Sequence, residues 1–181
     1  MKKLLISLIS ILISFYSYGE ELNSLFGITL NDNAEKYVSS NYINSAKSKN
    51  SETLDGYFDV YVTDEIKVKS PYFSEYWMTI DINNNIHSID GTEEYASINR
   101  CQEFLETLSS SLEERYEIDF EYWNPTFPDF EVFSYYHHTS SKNYFAIQCN
   151  KEHYKSSVLL QIYIDSRRLF NKKTEFYDSG L

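Results

Sequence analysis

Histidine is the residue type in this chain most often found at metal sites, and its spacing here argues against one. The four histidines are His87, His137, His138 and His153. His137 and His138 are neighbours in a segment with strand character, so their side chains point to opposite faces and cannot share one ion. The sequence has no His-Glu-x-x-His motif and no cysteine cluster. We therefore interpret the histidines as solvated or turn residues, and we predict no metal and no cofactor.

A short polar segment that starts at Asp81 has the initial spacing of a calcium-binding loop. Its sequence is Asp-Ile-Asn-Asn-Asn. A calcium loop requires Gly at the sixth position and Glu at the twelfth, where this chain has Ile86 and Thr92. Because asparagine tolerates left-handed backbone angles, we predict a hairpin turn here.

Motifs for nucleophilic catalysis and phosphate binding are absent from the sequence. It contains no Gly-x-Ser-x-Gly and no glycine-rich phosphate loop. Acidic residues are so numerous that general acid–base pairs could be drawn in many places. Basic pairs occur at residues 167–168 and 172–173, where they are expected to complement the dipole of a C-terminal helix rather than bind a polyanion.

The two cysteines, Cys101 and Cys149, are predicted to form a structural disulfide bond. Cys101 lies on the apolar stripe of a helix predicted over residues 97–116, and Cys149 alternates in phase with Phe145 and Ile147 in a predicted strand. Both cysteines therefore face the interface between helix and sheet. The bond is expected to stabilise the fold by about 4 kcal/mol. A redox-active pair is disfavoured because the Cys-x-x-Cys spacing is absent.

Aromatic residues are concentrated in residues 120–136, FEYWNPTFPDFEVFSYY. Successive side chains of a strand alternate between its two faces, so some of these rings must lie on the outer face of a sheet. Tyr and Trp side chains beside acidic residues are typical anchors of protein interfaces. We therefore assign Trp77, Tyr122, Trp123 and Tyr135 as candidate partner-binding residues. A second core layer built from the same rings is the structural alternative.

The N-terminal residues predict export. A positively charged start precedes an uncharged run, rich in Leu and Ile, from Leu4 to Gly19. This pattern is typical of a secretory signal peptide, here residues 1–19, and the run is too short for a stable transmembrane anchor. We predict a periplasmic or secreted protein in which residues 20–181 form a single domain.

Acidic residues dominate the composition, with 27 Asp and Glu against 16 Lys and Arg and a net charge of −11. Removal of Lys2 and Lys3 with the signal peptide leaves 14 basic residues and a net charge of −13. Such a surface repels nucleic acid and anionic lipid, and it favours a partner with a basic surface.

The elements that must position these residues alternate between helices and strands. Apolar residues recur every three or four positions in residues 97–116, which predicts the longest helix, and shorter helices are predicted over residues 33–40 and 166–174. Residues 43–55 lack periodicity and are predicted to form a loop. Strand-like alternation marks residues 57–63, 73–82, 86–89, 118–123, 130–138, 143–149 and 157–164.

This element order predicts an α+β fold in which one antiparallel sheet, or two, packs on one long central helix. Each helix-then-strands unit is compatible with being one half of a diverged duplication. The start of the domain, LFGITLNDNAEKYV, resembles small periplasmic modules of the outer-membrane assembly lipoprotein and β-lactamase-inhibitor-protein families, in which a glycine turn leads into a capped helix. It lacks the Met that those families have at the turn.

Two classes of function fit this combination. The first is an exported, non-catalytic acidic protein, inhibitor-like or immunity-like, that binds another protein through an aromatic sheet face. The second is a small periplasmic or secreted hydrolase or carbohydrate-handling protein that uses dispersed carboxylates. The absence of catalytic motifs favours the first class.

Overall fold

The structure is a computed structural model that describes residues 22–49, 54, 56–125 and 127–178. The predicted signal peptide, residues 1–19, lies outside the described residues. Among the residues described, no helix combines the length and the apolar character needed to span a membrane.

The described chain contains nine strands and three α-helices. In order they are β1 (Ser24–Leu25), β2 (Ile28–Thr29), α1 (Ser40–Lys49), β3 (Tyr57–Tyr61), β4 (Glu75–Asp81), β5 (Ile86–Tyr95), α2 (Ile98–Tyr116), β6 (Glu121–Trp123), β7 (Phe130–His138), β8 (Tyr144–Glu152), β9 (Val158–Asp165) and α3 (Arg167–Asp178). A short 3-10 helix, Ala34–Lys36, precedes α1. The predicted α+β class with a large antiparallel sheet is confirmed.

Strands β3 to β9 form one antiparallel sheet in the order β3-β4-β5-β9-β8-β7-β6. The first three strands are consecutive neighbours, and so are the last four. The two meanders meet where β5 pairs with β9, with Ile89 opposite Ile164 and Asp90 opposite Tyr163. The centre of the sheet is therefore built from the last strand of each meander.

The longest helix, α2, packs against β8 and β9. Ser97 caps its first turn, since the Ser97 hydroxyl accepts a hydrogen bond from Arg100 N–H at 3.5 Å. The helix ends at Glu117, which adopts the left-handed conformation with φ 53°. Its buried stripe consists of Cys101, Leu105, Leu108, Ser109 and Leu112.

The two faces of the sheet differ in chemistry because alternate residues of each strand point to opposite sides. The face towards α2 is apolar, and Phe145, Ile147 and Leu160 are fully buried there. The other face carries polar and aromatic side chains and is partly covered by α3. The Phe170 ring of α3 stacks on the Tyr144 ring with centroids 4.5 Å apart.

The prediction of a loop over residues 43–55 is wrong for its first half, because α1 extends to Lys49, and residues 50–53 and 55 lie outside the described residues. The segment has weak amphipathic periodicity, and contacts with the rest of the fold stabilise it. Ile43 is fully buried, and the Tyr42 hydroxyl donates a 2.5 Å hydrogen bond to the Tyr61 carbonyl. The predicted helix over residues 33–40 is replaced by the short 3-10 helix, which Asn33 caps.

The strand predicted over residues 86–89 is too short, because β5 continues past Asp90-Gly91 to Tyr95. Gly91 serves close packing rather than a turn. A Cβ atom at Gly91 would lie 2.6 Å from Cζ of Phe26, whose ring packs against the strand at this point. Ile82, the last residue of the strand predicted over residues 73–82, lies outside β4 and is 68% exposed in the turn that follows the strand.

Candidate functional site

Three of the four predicted partner-binding residues lie together at one edge of the sheet. Tyr122 and Trp123 belong to the edge strand β6 and are 54% and 49% exposed. Tyr135 on β7 pairs directly with Tyr122, and the two ring centroids are 5.1 Å apart. Tyr135 is half-buried beside α2, and burial raises the pKa of its phenol with help from nearby Glu106.

Trp123 points to the opposite side of β6 from Tyr122, where two further rings join it. Its indole lies 6.3 Å from Phe127, which in turn stacks on Phe130 at 4.4 Å. We call Tyr122, Trp123, Phe127, Phe130 and Tyr135 the aromatic edge. It comprises rings on both sides of the outermost strand rather than one continuous sheet face.

The fourth candidate, Trp77, lies elsewhere. It is half-buried on β4 and contacts Tyr61, with ring centroids 4.8 Å apart. Three strands separate β4 from β7 in the sheet, which corresponds to about 19 Å at the usual spacing between strands. The structure therefore does not bring Trp77 into the aromatic edge.

Three acidic residues are neighbours in the chain of aromatic-edge residues, and one of them, Glu131, lies 3.7 Å from His153. Glu121 accepts a 2.7 Å hydrogen bond from the Tyr136 hydroxyl, and this bond is the main reason that the pKa of Tyr136 is raised. Asp129 is exposed and Glu131 is partly exposed at the start of β7. A partner that covers these rings would therefore contact acidic side chains at Glu121 and Asp129.

The two cysteines lie at disulfide-bonding distance, with their Sγ atoms 2.02 Å apart. Cys101 belongs to α2 and Cys149 to β8, and both are fully buried. The bond links the long helix to the sheet in the core, away from both the aromatic edge and the solvent.

A second candidate site is a chain of three hydrogen-bonded side chains at the end of β4, the start of β5 and directly after the end of β9. His87 Nδ1 lies 2.8 Å from Ser166 Oγ, and His87 Nε2 lies 3.3 Å from Asp81 Oδ2. All three residues are less than 9% exposed. The histidine thus connects a hydroxyl to a carboxylate, the order of groups in a serine-based acyl-transfer site, although here Nδ1 rather than Nε2 faces the hydroxyl.

The turn after β4 fixes the Asp81 carboxylate. Its Oδ1 accepts hydrogen bonds from Asn83 N–H at 2.8 Å and from Asn85 N–H at 2.9 Å. Burial raises the pKa of the Asp81 carboxyl, but the hydrogen bonds from Asn85, His87 and Asn83 outweigh burial and hold it below its usual value. Asp81 is therefore ionised at neutral pH. These bonds also support the predicted hairpin turn.

Ser166 caps the N-terminus of α3, a role that was not predicted from the sequence. Ser166 Oγ accepts a hydrogen bond from Leu169 N–H at 3.3 Å, and Ser166 N–H donates to the His87 carbonyl at 2.7 Å. Arg167 N–H donates to Asn143 Oδ1 at 3.2 Å. The start of α3 is thereby anchored to both β5 and the turn before β8.

A cleft with a volume of about 580 Å³ opens beside this chain of side chains. Its lining includes Asp81, His87, Ser166, Asn143, Arg167 and Arg168. The two arginines are exposed, so their guanidinium groups lie at the mouth of a predominantly polar cavity. The arrangement can place an anionic ligand next to a hydroxyl.

Sequence reasoning missed this cluster because its members are far apart in the chain and belong to no motif. The interpretation of His87 as a solvated histidine is wrong, since His87 is 5% exposed on β5. The sequence did contain one signal, because His87 falls within a strand whose neighbouring residues are buried. The sequence placed Ser166 at the start of a predicted helix, but nothing in it linked Ser166 to His87.

A third group of polar side chains lies between α3 and the sheet. Lys173 contacts Asp165 at 2.9 Å, and Gln161 and Ser88 both donate hydrogen bonds to Asp90. Burial raises the pKa of the Asp90 carboxyl to about 6, although nearby Lys173 opposes the rise. This group fastens α3 to β5 and β9.

Within the described residues, no group of three or more His, Cys, Asp or Glu side chains is arranged to hold a metal ion. No protein-family model matches the chain, and comparisons with curated proteins and with solved structures find no significant match.

Proposed function

We propose that this chain is an exported acidic protein that binds a protein partner with a basic surface, and that the aromatic edge makes the contact. The observation that carries the proposal is the exposure of Tyr122 and Trp123, 54% and 49%, on the outermost strand of the sheet. Large rings left in water at one place are typical of interaction sites.

The position of these rings on an edge strand adds to the argument. β6 pairs with β7 on one side, and no described strand pairs with its other side. Exposed strand edges offer free backbone hydrogen-bonding groups, which proteins cover or use for binding. A partner could therefore combine main-chain hydrogen bonds with burial of the rings.

Charge defines the partner's surface. The chain carries a net charge of −11, and acidic residues lie beside the aromatic edge. A negative field accelerates encounter with basic proteins and repels nucleic acid and anionic lipid. Export to the periplasm or the medium is supported by the buried cysteine pair, because disulfide bonds persist in oxidising compartments.

We also propose that α2 is the helix on which the sheet is organised and that the two meanders are diverged halves of a duplication. The buried stripe of α2 and its contacts with β8 and β9 support the first statement. The pairing of β5 with β9, each the last strand of its meander, supports the second.

The alternative, a hydrolase that uses dispersed carboxylates, has less support. A carboxylate mechanism needs two acidic groups facing one substrate. Among the described residues that line the cleft, Asp81 is the one that carries a carboxylate.

The proposal is tested by capturing partners from the producing cell's exported proteins and measuring their binding kinetics. Tyr122→Ala and Trp123→Ala should each weaken binding of a basic partner by about 2 kcal/mol or more, roughly 30-fold in Kd. Ile82→Ala removes a similarly exposed apolar side chain far from the aromatic edge, so it should leave Kd unchanged.

Added salt should slow association of the captured partner and leave its dissociation nearly unchanged. Trp77→Ala tests whether the interface reaches β4. If folded Tyr122→Ala and Trp123→Ala variants hold the same partner with unchanged Kd, the aromatic edge is not the binding site.

A further inference from the structure

We propose that Ser166 is the nucleophile of an acyl-transfer site that hydrolyses small carboxylic esters bearing a negative charge. The site consists of Ser166, His87 and Asp81 at the base of the cleft. This inference is independent of the proposed protein-binding function, since the aromatic edge contributes none of these side chains.

The hydrogen bonds assign a role to each group. Asp81 is ionised and can only accept, so His87 Nε2 carries the ring proton and donates to Asp81 Oδ2. Nδ1 then has a free lone pair that accepts the Ser166 O–H, 2.8 Å away. A hydroxyl, an imidazole and a carboxylate in this order can act as a nucleophile, a general base and the group that orients the base.

The start of α3 can stabilise the negative charge that develops on the substrate. Arg168 N–H belongs to the first turn of α3 and has no hydrogen-bond acceptor among the residues that the structure describes. Asn143 also lines the cleft, and because its Oδ1 accepts from Arg167 N–H, its amide nitrogen remains a donor there. Backbone and amide donors at a helix N-terminus suit an oxyanion.

The cleft selects the class of substrate. Its lining is rich in amides, and Arg167 and Arg168 place two positive charges at its mouth. The protein as a whole is strongly acidic, so the positive charge of these two arginines is a local exception to the negative potential of the surface. A carboxylate on the substrate, distal to the ester, can pair with a guanidinium group.

The reaction balances with water as the co-reactant. Ser166 Oγ attacks the ester carbonyl and transfers its proton to His87 Nδ1, and the C–O bond to the alcohol breaks as His87 protonates the leaving oxygen. Water then attacks the acyl-Ser166 carbonyl and gives one proton to His87. Collapse of the intermediate releases the carboxylic acid and returns the proton to Ser166, so one ester and one water yield one acid and one alcohol.

A purely structural role for Ser166, that of a helix cap, predicts a different outcome. A cap needs an oxygen that accepts from Leu169 N–H, and asparagine supplies one about as well as serine. Ser166→Asn should therefore preserve α3 while removing the nucleophile. Ser97→Asn makes the same substitution at the cap of α2, where no histidine contacts the hydroxyl, and serves as the matched control.

The experiment uses the purified full protein with two chromogenic esters, mono-4-nitrophenyl succinate and neutral 4-nitrophenyl butyrate, and with a fluorophosphonate probe that labels activated serines. We expect hydrolysis of the succinate ester and labelling mapped to Ser166 by mass spectrometry. Ser166→Asn and His87→Gln should lower kcat/KM on the order of 100-fold or more, whereas Ser97→Asn should leave it unchanged.

Substrate charge gives a second, independent readout. Replacing Arg167 and Arg168 with Gln should lower kcat/KM for the succinate ester about tenfold or more and spare the butyrate ester. If the wild-type protein hydrolyses neither ester faster than Ser166→Asn, and the probe does not label Ser166, the proposal is overturned and Ser166 is a helix cap alone.

Discussion

At the scale of single residues, the clearest departure from ordinary solution chemistry is the Asp90 carboxyl. Its pKa rises from 3.8 to about 6, chiefly because of burial between β5 and α3. The folded state therefore favours the protonated form. Between about pH 4 and pH 6 the folded protein binds more protons at this site than the unfolded chain does, so a rise in pH through this window costs stability.

Asp90→Asn is expected to remove that pH dependence. Relative to wild type, the variant should gain stability as the pH rises from 4 to 7, by up to about 3 kcal/mol for a shift of this size. Urea unfolding of both proteins at pH 4.5 and pH 7.5 measures the difference. Equal stability differences at the two pH values would show that Asp90 titrates normally.

Gly91 is a second position at which a small substitution, the addition of one Cβ atom, should change stability. Gly91→Ala would put a Cβ atom 2.6 Å from the Phe26 ring, which is closer than packed carbons allow. We expect a loss of about 1–3 kcal/mol in the free energy of unfolding, as for other overpacked sites. Phe26→Leu combined with Gly91→Ala should recover part of the loss, because the shorter side chain leaves room for the methyl group.

The Gly91 prediction is checked by urea midpoints for the two single variants and the double variant. Additive losses in the double variant would contradict the proposed contact, because the two substitutions would then act independently.

At the scale of elements, the cysteine pair should set how firmly α2 is held to the sheet. Replacing both Cys101 and Cys149 with Ala should lower the free energy of unfolding by about 4 kcal/mol, since the bond closes a long loop in the unfolded chain. Peptide mapping without reductant should recover the linked pair from native protein. Two thiols that alkylate freely in native exported protein would contradict the disulfide.

The elements also show what local sequence patterns can predict. α2 was predictable because its buried residues recur at helical spacing, and β7, β8 and β9 because polar turns separate strands with clear alternation. α1 was not, since its helix depends on burial of Ile43 and on the contact of Tyr42 with β3. Long-range packing of this kind leaves no local signature.

The candidate sites divide in the same way. The pairing of Tyr122 with Tyr135 follows from a short turn between neighbouring strands and was within reach of sequence analysis. The Ser166–His87 contact joins residues 79 positions apart, and only the pairing of β5 with β9 brings them together. Trp77 is a contrasting case. It was grouped with Trp123 because both are tryptophans, and residue type alone does not show that two side chains are close in the fold.

At the scale of the whole molecule, the proposed export makes a definite prediction about the N-terminus. The mature protein should begin at Glu20, with a net charge of −13, because the uncharged run ends at Gly19. Intact-mass measurement of protein from the periplasm or the medium checks this. A protein that retains Met1 and fractionates with membranes would contradict it.

The pairing of β5 with β9 also limits the order in which the strands can pair during folding. Gln161 donates a hydrogen bond to Asp90, and these two residues of the central strands are 71 positions apart. As the chain emerges, β3, β4 and β5 can pair early, yet β5 keeps an open edge until the last strand arrives. Such late, long-range pairing slows folding and leaves a strand edge open to wrong partners. A fragment that stops before β9 should therefore aggregate rather than fold, whereas the complete chain can close the edge of β5.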